Sequence, residues 1–184
     1  MDPIPSTPVD TLQPTLERLL IAVARRAPEL RFCVAGPQYP ETIDWPANVE
    51  RLDHVPPGDH PAFYAASRYT LNVTRKDMIE AGYSPSVRLF EAGACATPII
   101  SDVWDGLETL FEPGREIVLA RSTEDVLRVL QDPDAGARDA MGQAGRRRIL
   151  DGHTARHRAG QLETYLREAA GRPSPRAREL LLLC

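Results

Sequence analysis

The densest group of chemically useful side chains lies between Gly82 and Glu91. A glycine-containing loop leads into Ser84-Pro85, and a serine N-cap with proline at the first helical position predicts that a helix begins there. The amide groups of a first helical turn attract anions, and Arg88 on the first turns can neutralise a diphosphate. Glu91 follows about one turn later, and its carboxylate can accept two hydrogen bonds from a vicinal diol such as a ribose. These groups together suit a nucleoside diphosphate.

The elements that would position these residues alternate along the chain. Short, largely apolar runs predict strands near 30–35, 49–55, 69–73, 98–101 and 116–120. Helical spacing and start signals predict helices near 12–26, 59–67, 84–96, 105–111, 122–131, 135–150 and 154–169, with a loop over 74–83. This order is typical of an α/β fold with a doubly wound parallel sheet of about five strands flanked by helices. Ligands of such sheets gather beyond the carboxyl ends of the strands, so the loops after Ala35, Val73, Ser101 and Ala120 are the places to look.

Composition excludes several classes of protein. The 184 residues suit one domain, and 42% hydrophobic with 26% charged residues is ordinary for a folded protein. The formal net charge of −4 argues against a nucleic-acid module, and the longest apolar run, Leu19 to Ala24, is too short to span a bilayer. We expect an irregular or disordered segment over 1–11, a domain over 12–170 and a tail over 171–184. The first residues lack the features of a signal peptide, so we expect a cytoplasmic protein.

The sequence offers few candidates for a metal site. Cys33 and Cys95 lie in apolar runs and are interpreted as small core residues, and Cys184 is isolated from both. Asp132-Pro133-Asp134 has the spelling of an acidic metal motif, but it falls between two helices, where such residues end and cap helices. His153 and His157 are spaced by about one helical turn, and surface or capping roles are the more common ones for such histidines. We therefore predict no metal site.

A family resemblance covers about Leu12 to Leu166. The segment from Ser86 to Ile100 resembles the donor half of GT-B glycosyltransferases, in particular the spore-maturation-type branch of the "glycosyl transferases group 1" set. That branch favours a Ser-x-Arg-x-Phe-Glu-Ala core, matched here by Ser86, Arg88, Phe90, Glu91 and Ala92. Further similar segments are Val34–Pro37, Asn48–Leu52, Phe63–Ala65, Leu71–Thr74, Thr97–Ile100, Pro113–Glu116 and His153-Thr154 with Arg158.

The resemblance implies the Rossmann-like half of a GT-B fold, which binds a nucleotide-diphosphate sugar and needs no cofactor and no metal. Glu91 would hold the ribose, the helix start would face the phosphates, and Arg88 and Arg75 would balance the charge of the departing diphosphate. Tyr83 stands where many relatives have a glutamate, near the sugar. The substrate-binding residues expected on this basis are Gly82, Tyr83, Ser84, Ser86, Arg88, Glu91 and Arg75. No catalytic residue follows, because the general base often comes from the acceptor half.

Two other hypotheses compete with a transferase. The same fold can serve as a non-enzymatic interaction module, because the family's opening strand and acceptor half are not found in the sequence and Tyr83 replaces the usual glutamate. The helix from Thr154 to Ala169 would then use an apolar strip to bind the N-terminal acceptor half or a second copy of the chain; the strip consists of Ala155, Ala159, Leu162, Leu166 and Ala169. A flavodoxin-like receiver or nucleotide sensor is the third hypothesis, although the acidic pocket of a receiver is missing.

Overall fold

The computed structural model describes residues 13–37 and 39–170. The predicted irregular segment 1–11 and the predicted tail 171–184 lie outside the described residues. Five strands are found in these ranges: β1 Phe32–Ala35, β2 Val49–Leu52, β3 Thr70–Asn72, β4 Ile99–Ser101 and β5 Val118–Leu119. They form a two-stranded sheet, β1-β2, and a three-stranded sheet in the order β3-β4-β5.

Every strand pair in the described ranges is parallel. Phe32 pairs with Val49 in the first sheet, while Thr70 pairs with Ile99 and Ile100 with Val118 in the second. Parallel strands need crossover connections, and helices supply them. The predicted α/β class is therefore confirmed, with the strands divided between two sheets.

Helices connect and flank the strands. The chain opens with α1 Gln13–Leu16, a π-helical turn Glu17–Ile21 and α2 Ala22–Arg26, which follow one another without a break and are called the first helix below. A 3-10 turn at Pro57–Asp59 precedes α3. The remaining helices are α3 His60–Ala65, α4 Lys76–Ala81, α5 Val87–Ala94, α6 Leu107–Leu110, α7 Thr123–Gln131, α8 Ala135–Gly152 and α9 Ala155–Ala170. None of these helices is long and apolar enough to cross a bilayer.

Strand β4 is the centre of the core, and its two isoleucines point to opposite faces of the sheet. Ile99 packs in a cluster formed with α5, α6 and α8, which includes Leu89, Leu107, Phe111 and Ile149. Ile100 packs in a second cluster, formed with the first helix and α7, which includes Leu19, Val23, Val126 and Leu127. Both faces of the three-stranded sheet are thus covered by helices, as expected for a doubly wound fold.

Three local predictions are wrong. The segment 74–83, predicted as a loop, contains α4, and its ion pair between Lys76 Nζ and Glu80 Oε1, 3.5 Å apart, is the i,i+4 pattern that stabilises a helix. The helix predicted near 105–111 is shorter and has no side-chain cap from Asp105; α6 begins after Gly106, which has a positive φ of 102°. Cys33, predicted as a core residue, is exposed.

The C-terminal helix α9 lies outside the core. It buries none of its residues, and Leu162, Tyr165 and Leu166 are 58%, 63% and 59% exposed. The predicted apolar strip is therefore present on a helix that makes no core contacts within the described ranges.

Candidate functional site

The carboxyl ends of the strands bring the expected loops to one edge of the fold. A cavity of about 1180 Å³ opens there and extends back between β1 and β3. Its wall includes three residues of the expected substrate-binding set: Arg75, Ser86 and Arg88. Gly82, Tyr83, Ser84 and Glu91 do not line it.

Helix α5 begins two residues later than predicted. Ser86, not Ser84, is the N-cap: its Oγ accepts a hydrogen bond from the Arg88 amide at 3.4 Å, and α5 starts at Val87. Pro85 therefore precedes the cap and does not occupy the first helical position. The reason lies upstream, where Gly82 and Tyr83 both adopt positive φ and carry the chain across to the turn at Gly106. The helix N-terminus remains beside the cavity, because Ser86 lines it.

Tyr83 is held by that turn. Its amide donates to the Asp105 carbonyl at 3.3 Å, and its side chain stays 70% exposed. A Cβ on Gly106 would lie 2.4 Å from Tyr83 Cδ1, so only glycine fits beneath the ring. A tyrosine at φ 51° is an unusual backbone conformation for a bulky residue, which tertiary contacts must maintain. The structure thus places Tyr83 at the rim and away from the cavity wall.

Arg88 reaches from α5 toward β3. Its Nη1 donates to the Leu71 carbonyl at 3.3 Å, and its side chain is partly buried. The guanidinium also lies close to the Tyr64 phenol: burial raises the pKa of Tyr64, Glu91 raises it further, and Arg88 opposes both. Arg88 therefore places a permanent positive charge on the cavity wall.

Glu91 faces α3, one turn along α5 from Arg88. Its Oε2 accepts a hydrogen bond from the Tyr64 hydroxyl at 3.3 Å and lies 3.3 Å from His60 Nδ1. His60 Nε2 lies 3.1 Å from the Val55 carbonyl, which can only accept, so Nε2 carries a proton. Nδ1 can donate to Glu91 only when the ring is an imidazolium. The Glu91 side chain is 38% exposed, and both its partners, His60 and Tyr64, line the cavity.

The predictions did not include a buried polar network at the ends of β3 and β4. The Thr74 amide and hydroxyl donate to Asp102 Oδ2 and Oδ1 at 2.9 and 2.8 Å. Asn72 Nδ2 donates to Thr74 Oγ1 at 3.1 Å and to Ser101 Oγ at 3.0 Å. All four residues are buried. The signal was in the sequence, because these polar residues end or directly follow two apolar strands at an edge where ligands bind.

Burial raises the pKa of Asp102 above its ordinary value of 3.8, although the hydrogen bonds from Thr74 and Ser101 oppose that effect. The network ties the ends of β3 and β4 together, since Thr74 follows one strand and Asp102 follows the other. It thereby fixes the start of the segment that carries Arg75. Asn72 Oδ1 is buried and has no hydrogen-bond partner in the part of the chain that the structure describes.

The sequence patterns that resembled metal sites have other roles. Asp134 caps α8 by accepting from the Ala137 amide at 2.9 Å, and Asp132 accepts from the Asp134 amide at 2.9 Å. His153 ends α8, stacks on Phe90 with ring centroids 6.0 Å apart, and accepts a hydrogen bond from Arg158 at Nδ1. Burial and the nearby Arg158 lower the pKa of His153. Over residues 13–37 and 39–170, no three His, Cys, Asp or Glu side chains are grouped to hold a metal ion.

Comparison with protein families shows which family the chain belongs to. The sequence profile of the family described as "Glycosyl transferase-like" matches residues 13–164. The chain belongs to this glycosyl transferase-like family. A comparison with curated protein sequences gives no significant match.

Solved structures of GT-B glycosyltransferases share the fold of this glycosyl transferase-like chain. The HepE protein of Anabaena, solved in complex with UDP-glucose, has a TM-score of 0.70 at 14% identity, covering 86% of this chain and 46% of that one. Sucrose-phosphate synthase from Thermosynechococcus elongatus has a TM-score of 0.63 at 20% identity, covering 82% and 42%. A second HepE structure, with UDP and glucose, has a TM-score of 0.57 at 16% identity, covering 66% and 32%.

The glycosyl transferase-like chain spans less than half the length of these solved structures. The region shared with them is a domain of the C-terminal type, so the expected resemblance to the Rossmann-like half of a GT-B enzyme is confirmed.

Proposed function

We propose that this chain is the donor-binding domain of a glycosyltransferase, which transfers a sugar from a nucleotide-diphosphate sugar to an acceptor. The observation that carries the proposal is the start of α5, where Ser86 and Arg88 line the cavity at the carboxyl edge of the strands. A helix N-terminus and an arginine provide the positive potential that a diphosphate needs. The HepE protein that shares this fold was solved with UDP-glucose, so a uridine nucleotide is the first ligand to test.

In this proposal Arg88 stabilises the charge that develops on the departing diphosphate. Such preorganised electrostatic stabilisation requires no reorganisation during the reaction, and the arginine with the helix dipole takes the role that a metal has in other transferases. Arg75, exposed at the cavity mouth, adds a second positive charge to the same edge. Gly82, Tyr83 and Ser84 would act at the rim, where they shape access to the cavity and do not line its wall.

Glu91 is proposed to bind the ribose diol. Its carboxylate is oriented by Tyr64 and His60, and the side chain is still exposed enough to accept further hydrogen bonds. Removing a charged acceptor from a bound hydroxyl costs about 1.5–3 kcal/mol. The Glu91→Gln substitution should therefore weaken nucleotide binding roughly tenfold or more.

Isothermal titration calorimetry of the chain with UDP, GDP and UDP-glucose tests this proposal. Saturable binding that Glu91→Gln weakens, while Glu163→Gln on the exposed helix α9 leaves it unchanged, supports a donor site. Arg88→Gln should weaken UDP binding more than uridine binding, because the nucleoside has no diphosphate. Failure of every nucleotide to bind at millimolar concentration would contradict the proposal.

A second candidate function is an interaction module, favoured by the exposed apolar residues of α9. The partner would be either an acceptor half on another polypeptide or a second copy of this chain. Sedimentation velocity distinguishes a homodimer from a monomer. The double substitution of Leu162→Glu with Leu166→Glu should abolish a homodimer, whereas it should leave a monomer unchanged.

The free thiols Cys33 and Cys95 suit a reducing compartment, and we propose a cytoplasmic location on that basis.

A further inference from the structure

Arg88 and Glu91 carry opposite charges three positions apart on α5, yet they do not pair with each other. Side chains at this spacing are neighbours on a helix surface, and opposite charges there attract each other. The chain has such a pair on α7, where Arg128 Nη1 lies 3.4 Å from Asp125 Oδ1. Over the part of the chain that the structure describes, Glu91 pairs with a histidine and no ion pair joins it to Arg88. A neighbouring element must therefore keep the two charges apart.

Tyr64 of α3 contacts both charges. Its hydroxyl donates a hydrogen bond to Glu91 Oε2 at 3.3 Å. Burial raises the pKa of Tyr64, the Arg88 guanidinium lowers it and the Glu91 carboxylate raises it, so both ions act on the same phenol. A phenol oxygen can accept a hydrogen bond from a guanidinium while its own proton is donated to a carboxylate. The hydroxyl is therefore suited to stand between the two side chains.

Each charge also has a second partner, and these partners lie on different elements. Glu91 Oε2 lies 3.3 Å from His60 Nδ1, one turn before Tyr64 on α3, and the two aromatic rings meet edge to face with centroids 6.2 Å apart. Arg88 Nη1 donates to the Leu71 carbonyl of β3 at 3.3 Å. The carboxylate is thus directed to α3, whereas the guanidinium is directed to β3.

The core fixes the position of the phenol. Tyr64 is only 7% exposed, and its ring packs in the cluster that includes Leu89. It also meets the Phe63 ring edge to face, with centroids 5.8 Å apart. The Tyr64 carbonyl accepts a hydrogen bond from Thr97 Oγ1 at 2.8 Å, which ties the end of α3 to the turn before β4. Because close packing restricts the ring, the hydroxyl keeps its place beside α5 without a bound ligand.

We infer that Tyr64 is a positioning residue of the donor site, whose hydroxyl separates Arg88 from Glu91 and leaves the guanidinium to the diphosphate and the carboxylate to the ribose. This inference rests on the proposed function and adds the residue that prepares the site. If the two charges paired with each other, that pair would have to break before either could bind the nucleotide, and affinity would fall. A site in which the charges are already apart avoids this cost.

The separation can be measured without a ligand. Tyr64→Phe keeps the buried ring and removes the hydroxyl, so Arg88 and Glu91 should then pair. NMR of the Arg88 side chain should show its N–H hydrogens exchanging several-fold more slowly in this variant, because an ion pair protects them from water. Adding Glu91→Gln should make the exchange fast again, since no carboxylate remains. Tyr165→Phe on the exposed helix α9 is the matched control and should change nothing.

Calorimetry with inorganic pyrophosphate, which has no ribose, tests the effect on binding. Tyr64→Phe should weaken pyrophosphate binding about fivefold, because the guanidinium then has a competing partner. Adding Glu91→Gln to Tyr64→Phe should restore this affinity, and the gain should exceed the one that Glu91→Gln gives in the original chain, where it only removes a nearby negative charge. UDP binding should also fall in Tyr64→Phe, and Glu91→Gln should not restore it fully, because the ribose has lost its acceptor.

Three results would overturn the inference. Tyr64→Phe could bind pyrophosphate and UDP as well as the original chain does, or its loss of affinity could persist after Glu91→Gln. A Tyr64→Phe variant that no longer folds, as judged by thermal unfolding beside Tyr165→Phe, would show that the hydroxyl supports the fold and not the site.

Failure of the proposed function would look different. If the original chain bound neither UDP nor pyrophosphate, the donor site itself would be contradicted, and the exchange rates of the Arg88 side chain would decide by themselves whether Tyr64 separates the charges. If the original chain bound UDP and Tyr64→Phe bound it equally well, the donor site would stand and the inference about Tyr64 would fail.

Discussion

The two sheets of this domain differ in how completely they are surrounded. All three residues of β4 are buried, and Ile99 and Ile100 are 1% and 2% exposed. In β1, by contrast, only Val34 is buried, and Cys33 is exposed although it lies within the strand. The sequences of both strands are largely apolar, so local composition does not explain the difference.

Neighbouring strands explain it. Strand β4 pairs with β3 and β5 and has helices on both faces, whereas β1 pairs with β2 on one edge and borders the cavity on the other. The burial of a strand in a parallel sheet thus depends on neighbours that its own sequence does not specify. The three-stranded sheet is accordingly expected to carry most of the stability of the domain.

Truncating the core of the three-stranded sheet should have the largest effect. Ile99→Ala removes a side chain packed between α5, α6 and α8, and we expect a loss of about 2–5 kcal/mol in the free energy of unfolding, from lost burial and the cavity left behind. Urea unfolding of the variant and of the original chain measures this loss. A loss below about 1 kcal/mol, within the range of surface substitutions, would contradict the comparison.

The contact between α8 and the turn before β4 should be the next most sensitive. A Cβ on Gly142 would lie 2.1 Å from the Ala96 carbonyl oxygen, so Gly142→Ala should destabilise the domain by about 1–3 kcal/mol. The matched control is Gly160→Ala on α9, where nothing lies within 4 Å of the new Cβ. That change should stabilise slightly, because alanine favours helix. Thermal unfolding of both variants checks this: the melting temperature should fall for Gly142→Ala and rise slightly for Gly160→Ala.

The polar network of the three-stranded sheet should make stability pH-dependent. Because the pKa of Asp102 is raised in the folded state, the unfolded chain loses this proton first as pH rises. Its contribution to stability is therefore full below the ordinary value of 3.8 and declines as pH rises through the folded pKa, by about 1.4 kcal/mol for each unit of separation.

Urea unfolding of the chain and of Asp102→Asn across this pH range measures the contribution. The variant should lack this decline, so its stability relative to the original chain should increase with pH from the acidic end. Two curves that stay parallel throughout would show that Asp102 titrates alike in the folded and unfolded states.

The smallest effect is expected in the two-stranded sheet. Cys33→Ser replaces an exposed thiol and should change the free energy of unfolding by less than about 0.5 kcal/mol. In the native chain Cys33 should be accessible to a thiol reagent, although burial and Glu50 raise the pKa of its thiol and slow the reaction. If Cys33→Ser lowered the free energy of unfolding by more than about 1 kcal/mol, β1 would be as buried as β4. The two sheets would then not differ as described.

Local signals predicted several elements well. The helix predicted near 122–131 is α7: Ser122 and Asp125 form a capping box at its start, with the Asp125 amide donating to Ser122 Oγ at 3.2 Å, and it ends at Gln131 as predicted. Such boxes need only residues three positions apart, so the sequence alone contains the information. The parallel α/β class followed from the alternation of strands and helices in the same way.

The site was harder to predict. Ser86 replaced Ser84 as the cap of α5 because Tyr83 is anchored by the distant turn at Gly106, a contact that sequence spacing does not reveal. The partners of Glu91, His60 and Tyr64, lie on α3, about 30 positions earlier in the chain. The roles of Arg75, Arg88 and Glu91 in binding a nucleotide sugar stay predictions.

The sequence by itself determined the order of the strands and of most helices, and the residue types at the carboxyl edge, because periodicity and capping act over a few residues. Only the tertiary structure decided that Glu91 meets α3, that Thr74 and Asp102 join two strand ends, and that β1 and β3 stand apart. These features depend on packing between segments distant in the chain, where burial and hydrogen bonding are set by neighbours in space.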